Sequence, residues 1–311
     1  MLSRVADTIY WLARYMERTQ SMLQVIRTNY IASQNEIYDF NWRPFLQLYG
    51  DLTPDELAQL DGHSTPILTH LVLDRNNGAS AYRNILQGRE NARAVQDHIT
   101  KEVWQSLNDF YHVIRDAEVG QQITREDPIS GLDALLRQAL LYAGTVQHTM
   151  PRDEGYAYLG IGKCLERAIQ ITDILRVQWA TVTEHTVHPL DAPALRYLLY
   201  SLVGYEQYIK TYKGTFNTDN VLQFIVYNTQ FPHALLYSLD QLAYYFGRLQ
   251  PESLPESHAH VAFLIGKVRT AVRYSRLSAQ EPEQLTSFLL QTRQQLVDVA
   301  NALNTSYFGY N

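Results

Sequence analysis

Two long stretches of the chain carry the same helical seam of apolar residues, and each stretch contains an adjacent Glu-Arg pair. A shift of 149 residues places Glu17–Arg18 over Glu166–Arg167. It also aligns two sets of seam residues, spaced alternately by four and three: Leu12, Met16, Thr19, Leu23, Ile26 and Tyr30 over Ile161, Leu165, Ala168, Thr172, Leu175 and Trp179. This spacing is typical of amphipathic α-helices. We interpret the match as an internal duplication, although two long bundle helices can also share a stripe by chance.

The rest of the chain shows the same helical periodicity and almost no strand signal. The sequence therefore predicts an all-α fold: one domain spanning residues 1–311, a multi-helix bundle with two internally similar halves of about 1–125 and 126–311, each containing a long Glu-Arg helix. The stretch from Gly120 to Gly131 is polar and contains Pro128, so we expect it to link the halves. The other expected helices include residues 3–38, 88–117, 155–183, 192–213 and 281–307.

Composition excludes several classes of protein. A net charge of -6 and a pI near 5.9 provide no basic field for nucleic acid. A single cysteine, Cys164, excludes an internal disulfide and is typical of a reducing compartment. The sequence shows neither the apolar core of a signal peptide nor an apolar run of about 18 residues. We therefore expect a cytoplasmic protein that does not bind membranes.

The two Glu-Arg pairs are the first candidate site. Adjacent helical residues point about 100° apart, so Glu17 and Arg18 must find different partners. Glu17 lies on a small-residue edge near Tyr10 and Ala13, where we expect it to be buried against another helix and therefore paired. One hypothesis pairs Glu17 with Arg167 and Glu166 with Arg18. The alternatives are a functional site or a lock that holds helices together.

A second polar cluster follows Gly88. On a continuous helix, Arg89, Arg93 and Asp97 would share one edge at intervals of four residues. Two arginines there could clamp a carboxylate or phosphate by paired hydrogen bonds. Equally, Arg93 and Asp97 could form an ordinary solvated ion pair.

Other familiar chemistry finds little support in the sequence. A di-iron site in a helical bundle needs two Glu-x-x-His pairs, and the chain has none; Asp109 and His112 form a single near miss. The segment from Gly160 to Lys163 lacks the spacing of a phosphate-binding loop. Cys164 has no histidine nearby in sequence and is better explained as a small packed residue. We expect no metal and no cofactor.

Four blocks of sequence, taken in order, resemble the alpha-E domain family, helical proteins named for their Glu-Arg motif. The blocks cover nearly the whole chain: Met1–Arg18; Arg89–Arg93 with Trp104 and Leu107-Asn108; Met150–Ala168; and Phe224–Leu239. Three positions depart from the family pattern. Gly78 stands where proline is usual, Lys163 where arginine is usual, and His233 where arginine tends to follow Phe-Pro.

The resemblance implies an all-helical bacterial protein encoded beside, or fused to, an ATP-grasp protein with ligase-like activity, with transglutaminase-like hydrolases in the same neighbourhoods. Such company suggests peptide ligation or peptide modification. It implies a role for this chain as an accessory or substrate-binding partner, with a peptide or amino acid as ligand and without independent activity.

On that basis we predict a polar centre that binds a ligand or partner, or that is structural. It comprises Arg14, Glu17, Arg18, Arg89, Glu90, Asn91, Arg93, Glu166 and Arg167. One alternative is an enzyme in its own right, using Glu17 or Glu166 as general base with nearby arginines as clamps. The other is a purely structural scaffold of interhelical ion pairs.

Overall fold

The computed structural model describes residues 1–34, 41–49, 52–60, 64–184, 192–213, 215–249 and 255–309. Within these ranges the secondary structure is helical and no strand occurs, which confirms the predicted all-α class. Among these residues no helix is both long enough and apolar enough to cross a membrane.

The described residues of the first half of the chain form eight α-helices: α1 Ser3–Ser33, α2 Arg43–Leu48, α3 Pro54–Leu60, α4 Ser64–Leu68, α5 Ala81–Ala94, α6 Lys101–Arg115, α7 Ala117–Arg125 and α8 Pro128–Thr149. A π-helical turn, Thr69–Leu73, continues α4. The expected extension of α1 toward Tyr38 lies outside the described residues.

The described ranges of the second half form seven more α-helices: α9 Glu154–Glu184, α10 Ala192–Ser201, α11 Tyr205–Tyr212, α12 Thr218–Tyr227, α13 Leu235–Phe246, α14 Pro255–Arg273 and α15 Pro282–Leu303. A π-helical turn, Asn304–Phe308, follows α15. Each Glu-Arg pair lies within a helix of 31 residues, α1 or α9.

The chain divides into two compact units. The first unit contains Met1–Tyr10 and Arg152–Asn311, and the second contains Trp11–Pro151. In the first unit, α9 packs against α13 and α15, and α14 contacts both of those helices. In the second, α8 packs against α6 and α7, and α5 packs against α6. This division follows compactness and does not test the proposed sequence duplication, which stays a prediction.

The predicted seams lie in the core. All the seam residues of α1 are buried except Tyr30, which is half-buried. All those of α9 are buried from Ile161 to Leu175, while the side chain of Trp179 lies outside the described set. The apolar stripe predicted for α15, from Leu285 to Leu303, is likewise buried throughout. Periodicity thus identified the inward faces of these helices correctly.

The predicted helix over residues 88–117 is wrong. α5 ends at Ala94, a 3-10 turn follows at Gln96–His98, and α6 begins after Thr100. The hydroxyl of Thr100 accepts a hydrogen bond from the Val103 amide 3.3 Å away and caps α6. The stripe appeared continuous because Val95 and Ile99, in the connection itself, are also buried.

The predicted link over residues 120–131 is also wrong. Residues Ala117–Arg125 form α7, which is capped by Asp116 and buries Val119 and Ile123. Gly131 is small for a packing reason, because a Cβ atom there would lie 2.6 Å from Cγ1 of Ile123. Gly131, at the end of the predicted link, therefore lets α8 approach α7 closely.

The predicted helix over residues 192–213 is divided into α10 and α11. Val203 adopts a left-handed conformation with φ 57°, and Gly204 then precedes α11. A β-branched residue rarely adopts such a φ, so the break at Val203 could not be predicted from the residue type.

Candidate functional site

Glu17 is the buried member of the first Glu-Arg pair. Glu17 is 5% exposed. Arg14, one turn earlier, is 8% exposed, and its guanidinium lies 4.6 Å from the centre of the Trp11 ring. Burial raises the pKa of the Tyr142 phenol on α8, and the Glu17 carboxylate raises it further. Tyr142 is therefore an electrostatic neighbour of Glu17 that sequence reasoning did not identify. Arg18 is half-buried.

Close packing brings α5 to the first Glu-Arg helix. Gly88 faces Met16, and a Cβ atom at position 88 would lie 2.8 Å from the Met16 sulfur. The contact explains why a glycine precedes the polar cluster on α5. Within the second unit, the structure therefore places the Arg89 cluster on a helix that directly contacts the helix of Glu17.

The Arg89 cluster forms a bridged ion network. Arg89 donates from Nη1 to Oε1 of Glu90 at 2.9 Å, and Arg93 lies 2.9 Å from Oε2 of the same carboxylate. Arg89 also donates from Nε to Oδ1 of Asn108 on α6 at 2.9 Å. The expected edge shared with Asp97 does not form, because α5 ends at Ala94. Glu90 therefore links the two arginines, and Asn91 beside it is half-buried.

Aromatic rings on α6 continue this network. The Arg89 guanidinium lies 4.7 Å from the centre of the Tyr111 ring and 5.4 Å from that of Trp104. Arg115 lies 5.2 Å from the Tyr111 ring on the same helix. Contacts at these distances are cation–π interactions, which hold guanidinium groups at a partly exposed surface.

The row of stacked groups also reaches the start of α5. The rings of Tyr82 and Tyr111 lie 6.4 Å apart, and Arg75 lies 5.1 Å from the Tyr82 ring. Burial raises the pKa of Tyr82, as does a hydrogen bond with Tyr111. We call this row the arginine–aromatic seam: Arg75, Tyr82, Arg89, Trp104, Tyr111 and Arg115.

The arginine–aromatic seam has a signature in the sequence. Trp104, Asn108, Tyr111 and Arg115 are spaced by four, three and four, so they form one stripe of α6. Trp104 and Asn108 belong to a block that resembles the alpha-E family, whereas Tyr111 and Arg115 were not predicted. An aromatic residue at helical spacing is usually core, so Tyr111 alone did not indicate a site.

The second Glu-Arg pair lies in the first unit, on a buried polar strip of α9. Glu166 is 2% exposed and accepts a hydrogen bond from Nε2 of Gln170 at 3.2 Å. Asp173, three residues further along the same strip, accepts one from Nε of Arg293 on α15 at 2.8 Å. Burial raises the pKa of Asp173, although the charge of Arg293 opposes the shift. Gln170, Asp173 and Arg293 were absent from the predicted site.

Arg167 faces the segment that precedes α13. Its guanidinium Nη1 donates to the carbonyl oxygen of Pro232 at 3.1 Å, and the residue is 8% exposed. Burial lowers the pKa of the neighbouring His233 well below its ordinary value, and the positive charges of Arg167 and Lys163 lower it further. This surrounding keeps His233 neutral near pH 7.

The predicted polar centre is thus distributed over both compact units. The second unit holds Arg14, Glu17, Arg18, Arg89, Glu90, Asn91 and Arg93, and the first holds Glu166 and Arg167. Glu17, Glu166 and Arg167 are enclosed, whereas the Arg93 side chain is 65% exposed. The buried groups are suited to hold helices, and the exposed Arg93 is suited to meet an anionic ligand.

Comparison with known proteins gives one family and several relatives. The model of a family described as a predicted alpha-helical domain with a conserved ER motif matches residues 1–308. Uncharacterized proteins of Mycobacterium bovis and of Mycobacterium tuberculosis strain CDC 1551 are 23% identical over 97% of this chain, and one of strain H37Rv is 22% identical. The chain spans only 36% of the length of each relative. No solved structure matches the chain.

Proposed function

Because this chain belongs to the Alpha-E family, we propose that it is the helical, substrate-binding partner of an ATP-grasp, peptide-ligase-like enzyme that forms or modifies amide bonds. The proposal assigns it no independent catalysis. The observation that supports this proposal is the length of the relatives, because the region similar to this chain makes up 36% of each of them. In those proteins the helical region is joined to a longer stretch of other sequence. This supports a role for the helical region beside a second component.

Under this proposal the two Glu-Arg pairs act as structural polar centres. Glu17, Glu166 and Arg167 are each at most 8% exposed, and a general base must reach the proton that it removes. Burial at this level favours the scaffold role for the pairs over the enzyme alternative. A buried charge that loses its partner costs about 3–5 kcal/mol, so these residues would fix how the helices pack.

The arginine–aromatic seam would then hold the ligand or partner. Arg89 is already engaged by Glu90 and Asn108, and so it acts as a support that fixes the two helices. Arg93 and Arg115, near Arg89, are exposed. Their guanidinium groups can donate hydrogen bonds to the carboxylate of a peptide or of an acidic protein surface. Rings of Trp104 and Tyr111 would add stacking area.

The test is reconstitution of the full chain with an ATP-grasp protein encoded beside it. Complex formation is measured by light scattering after size exclusion, and ATP turnover is measured with and without added peptides. We expect a complex, and turnover that needs the helical chain. Replacing both Arg93 and Arg115 by serine should weaken binding of the partner or peptide at least about tenfold.

Arg125→Ser provides the matched control, because Arg125 is an exposed arginine of the same unit at the end of α7. It should behave as the unmodified chain. A folded chain that forms no complex and leaves ATP turnover unchanged would refute the partner role. A complex that is insensitive to the Arg93 and Arg115 changes would refute the assignment of the seam.

A further inference from the structure

A separate cleft opens in the second unit, and its lining includes both chain neighbours of Arg75, the first residue of the arginine–aromatic seam. It has a volume of about 620 Å³ and is lined by residues of α2, of α3 and of the π-helical turn after α4, together with the turn that leads into α5. Its polar lining includes Gln47, Tyr49, Glu56, His70, Asp74 and Asn77. Clefts of about 300–1,000 Å³ are the usual size for small ligands.

One wall of the cleft is held rigid by local hydrogen bonds. The π-helical turn closes with the Asp74 amide donating to the Thr69 carbonyl at 2.9 Å. Asn77 donates from Nδ2 to the His70 carbonyl at 3.1 Å, and its Oδ1 accepts from the Ala79 amide at 2.9 Å. Such π-helical turns occur often at functional sites. A preformed wall lowers the entropy that binding must overcome.

The imidazole of His70 is part of this wall. Its Nδ1 lies 3.4 Å from Oδ2 of Asp74, and its Nε2 lies 3.2 Å from Nδ2 of Asn77. Because an amide nitrogen can only donate, Nε2 is the acceptor and the ring proton belongs on Nδ1, toward Asp74. The ring is therefore engaged on both sides, which orients the Asp74 carboxylate.

Glu56 supplies the second carboxylate. Its Oε2 accepts hydrogen bonds from the amide and the hydroxyl of Thr53, each at 2.8 Å. These two bonds lower the pKa of Glu56, so it is ionised at neutral pH. Among the described residues, no hydrogen bond reaches its other oxygen, Oε1. An ionised carboxylate thus presents an acceptor to the cleft.

Apart from the imidazole of His70, the described ionisable side chains that line the cleft are acids. The cleft is lined by two carboxylates, Glu56 and Asp74, and none of the described lining residues is lysine or arginine. In the described part of the chain, moreover, no group of three or more His, Cys, Asp or Glu side chains is arranged to hold a metal ion. The complementary ligand is therefore an organic cation that can donate several hydrogen bonds.

We propose that this cleft binds a compound of amino-acid to dipeptide size through a primary ammonium or guanidinium group, with Glu56 and Asp74 as its acceptors. The site goes beyond the proposed function, because it requires neither an ATP-grasp partner nor the seam. In a peptide-modifying system it would select a ligand with a basic side chain.

Calorimetric titration of the full chain at low salt tests the site. The probes are N-acetyl-lysine amide and N-acetyl-arginine amide, with neutral N-acetyl-norleucine amide as the isosteric comparison. We expect the cationic amides to bind at least about tenfold more tightly than the neutral one. Added salt should weaken the binding.

Two variants remove one charge each and leave the local structure intact. Glu56→Gln keeps an acceptor for the Thr53 capping box, in which glutamine also serves. Asp74→Asn keeps an oxygen for the Asn76 amide, which donates to Oδ1 at 2.8 Å. Each change should weaken binding of the cationic amides about tenfold. Asp55→Asn is the matched control on the exposed side of α3 and should leave affinity unchanged.

Several outcomes would overturn the proposal. One is the absence of heat from either cationic amide at millimolar concentration while circular dichroism shows a folded chain. Another is equal affinity for the norleucine amide, or equal weakening by Asp55→Asn. Tight binding of Mg²⁺ or Ca²⁺ without binding of the amides would make the cleft a metal site instead.

Discussion

Gly160 on α9 allows the ring of Tyr245, on α13, to lie directly against the helix backbone. A Cβ atom at position 160 would lie 2.3 Å from Cγ of that ring and 2.5 Å from both Cδ atoms. The nearest ring atom would have to retreat by about 1 Å to reach an ordinary contact. Cγ is close to the backbone of α13 and cannot move far without a new side-chain rotamer or a shift of the helix.

Two effects of Gly160→Ala oppose each other. Alanine stabilises the interior of a helix by about 1 kcal/mol relative to glycine. Overpacking of a closely packed contact costs about 1–3 kcal/mol. Because the contact involves three ring atoms, we expect an overpacking cost in the upper part of this range, about 2–3 kcal/mol. Subtracting the helix-propensity gain of about 1 kcal/mol leaves a net decrease in the free energy of unfolding of about 1–2 kcal/mol.

Gly266→Ala is the matched control. Gly266 lies in α14 of the same compact unit, and a Cβ atom there would meet nothing within 4 Å. This variant should gain about 0.5–1 kcal/mol from helix propensity alone. The difference between the two variants isolates the packing cost, because the propensity gain is common to both.

Urea unfolding followed by circular dichroism gives the free energy of unfolding for each variant. In a Tyr245→Leu background, which removes the ring, Gly160→Ala should become stabilising. The reasoning fails if Gly160→Ala stabilises the unmodified chain as much as Gly266→Ala does. It also fails if the effect of Gly160→Ala is the same with and without the Tyr245 ring.

Three further changes give separate tests. Because the pKa of His233 is lowered in the folded state, its contribution to stability is complete above the unfolded pKa of about 6.5 and is lost below it, by up to about 1.4 kcal/mol per pH unit. His233→Gln should flatten the decline of unfolding free energy between pH 7 and 5, and identical pH profiles would contradict the assignment. Arg293→Ala removes the hydrogen-bonded partner of Asp173. Because the Arg293 side chain is 43% exposed, we expect a reduced loss of about 1–2 kcal/mol in the free energy of unfolding measured with urea. No loss would show that the pair does not stabilise the fold. The Ser80 hydroxyl accepts a hydrogen bond from the Arg83 amide at 3.2 Å and caps α5. Ser80→Ala should therefore lower the free energy of unfolding by about 1–2 kcal/mol, and an unchanged value would show that the cap is replaceable.

Sequence reasoning succeeded where one short stretch of chain decides the outcome. The seams of α1 and α9 and the stripe of α15 are of this kind, because residues three and four positions apart lie on the same face of an α-helix. It failed where one helix ends and the next begins while the spacing of buried residues continues almost unchanged. Val95 and Ile99 are buried in the connection between α5 and α6, so a pattern of buried residues alone could not reveal the break.

The same limit applied to the site. The sequence identified the residues of the Arg89 cluster but assigned Asp97 as a candidate neighbour of Arg93, whereas the structure pairs Arg93 with Glu90. Asn108 and Tyr111 reach Arg89 from α6. Which residues of a second helix face the first depends on the loop between them, and sequence spacing does not specify that geometry.

By itself, the sequence determined the all-helical class, the inward faces of α1, α9 and α15 and the resemblance to the Alpha-E family, because all three depend on the order of residues along the chain. Only the tertiary structure decided the distribution of the predicted centre over two compact units, the stacking of arginines on rings, and the acidic cleft. These features depend on contacts between distant segments, and such contacts form when each helix buries its apolar face against whichever neighbours the fold provides.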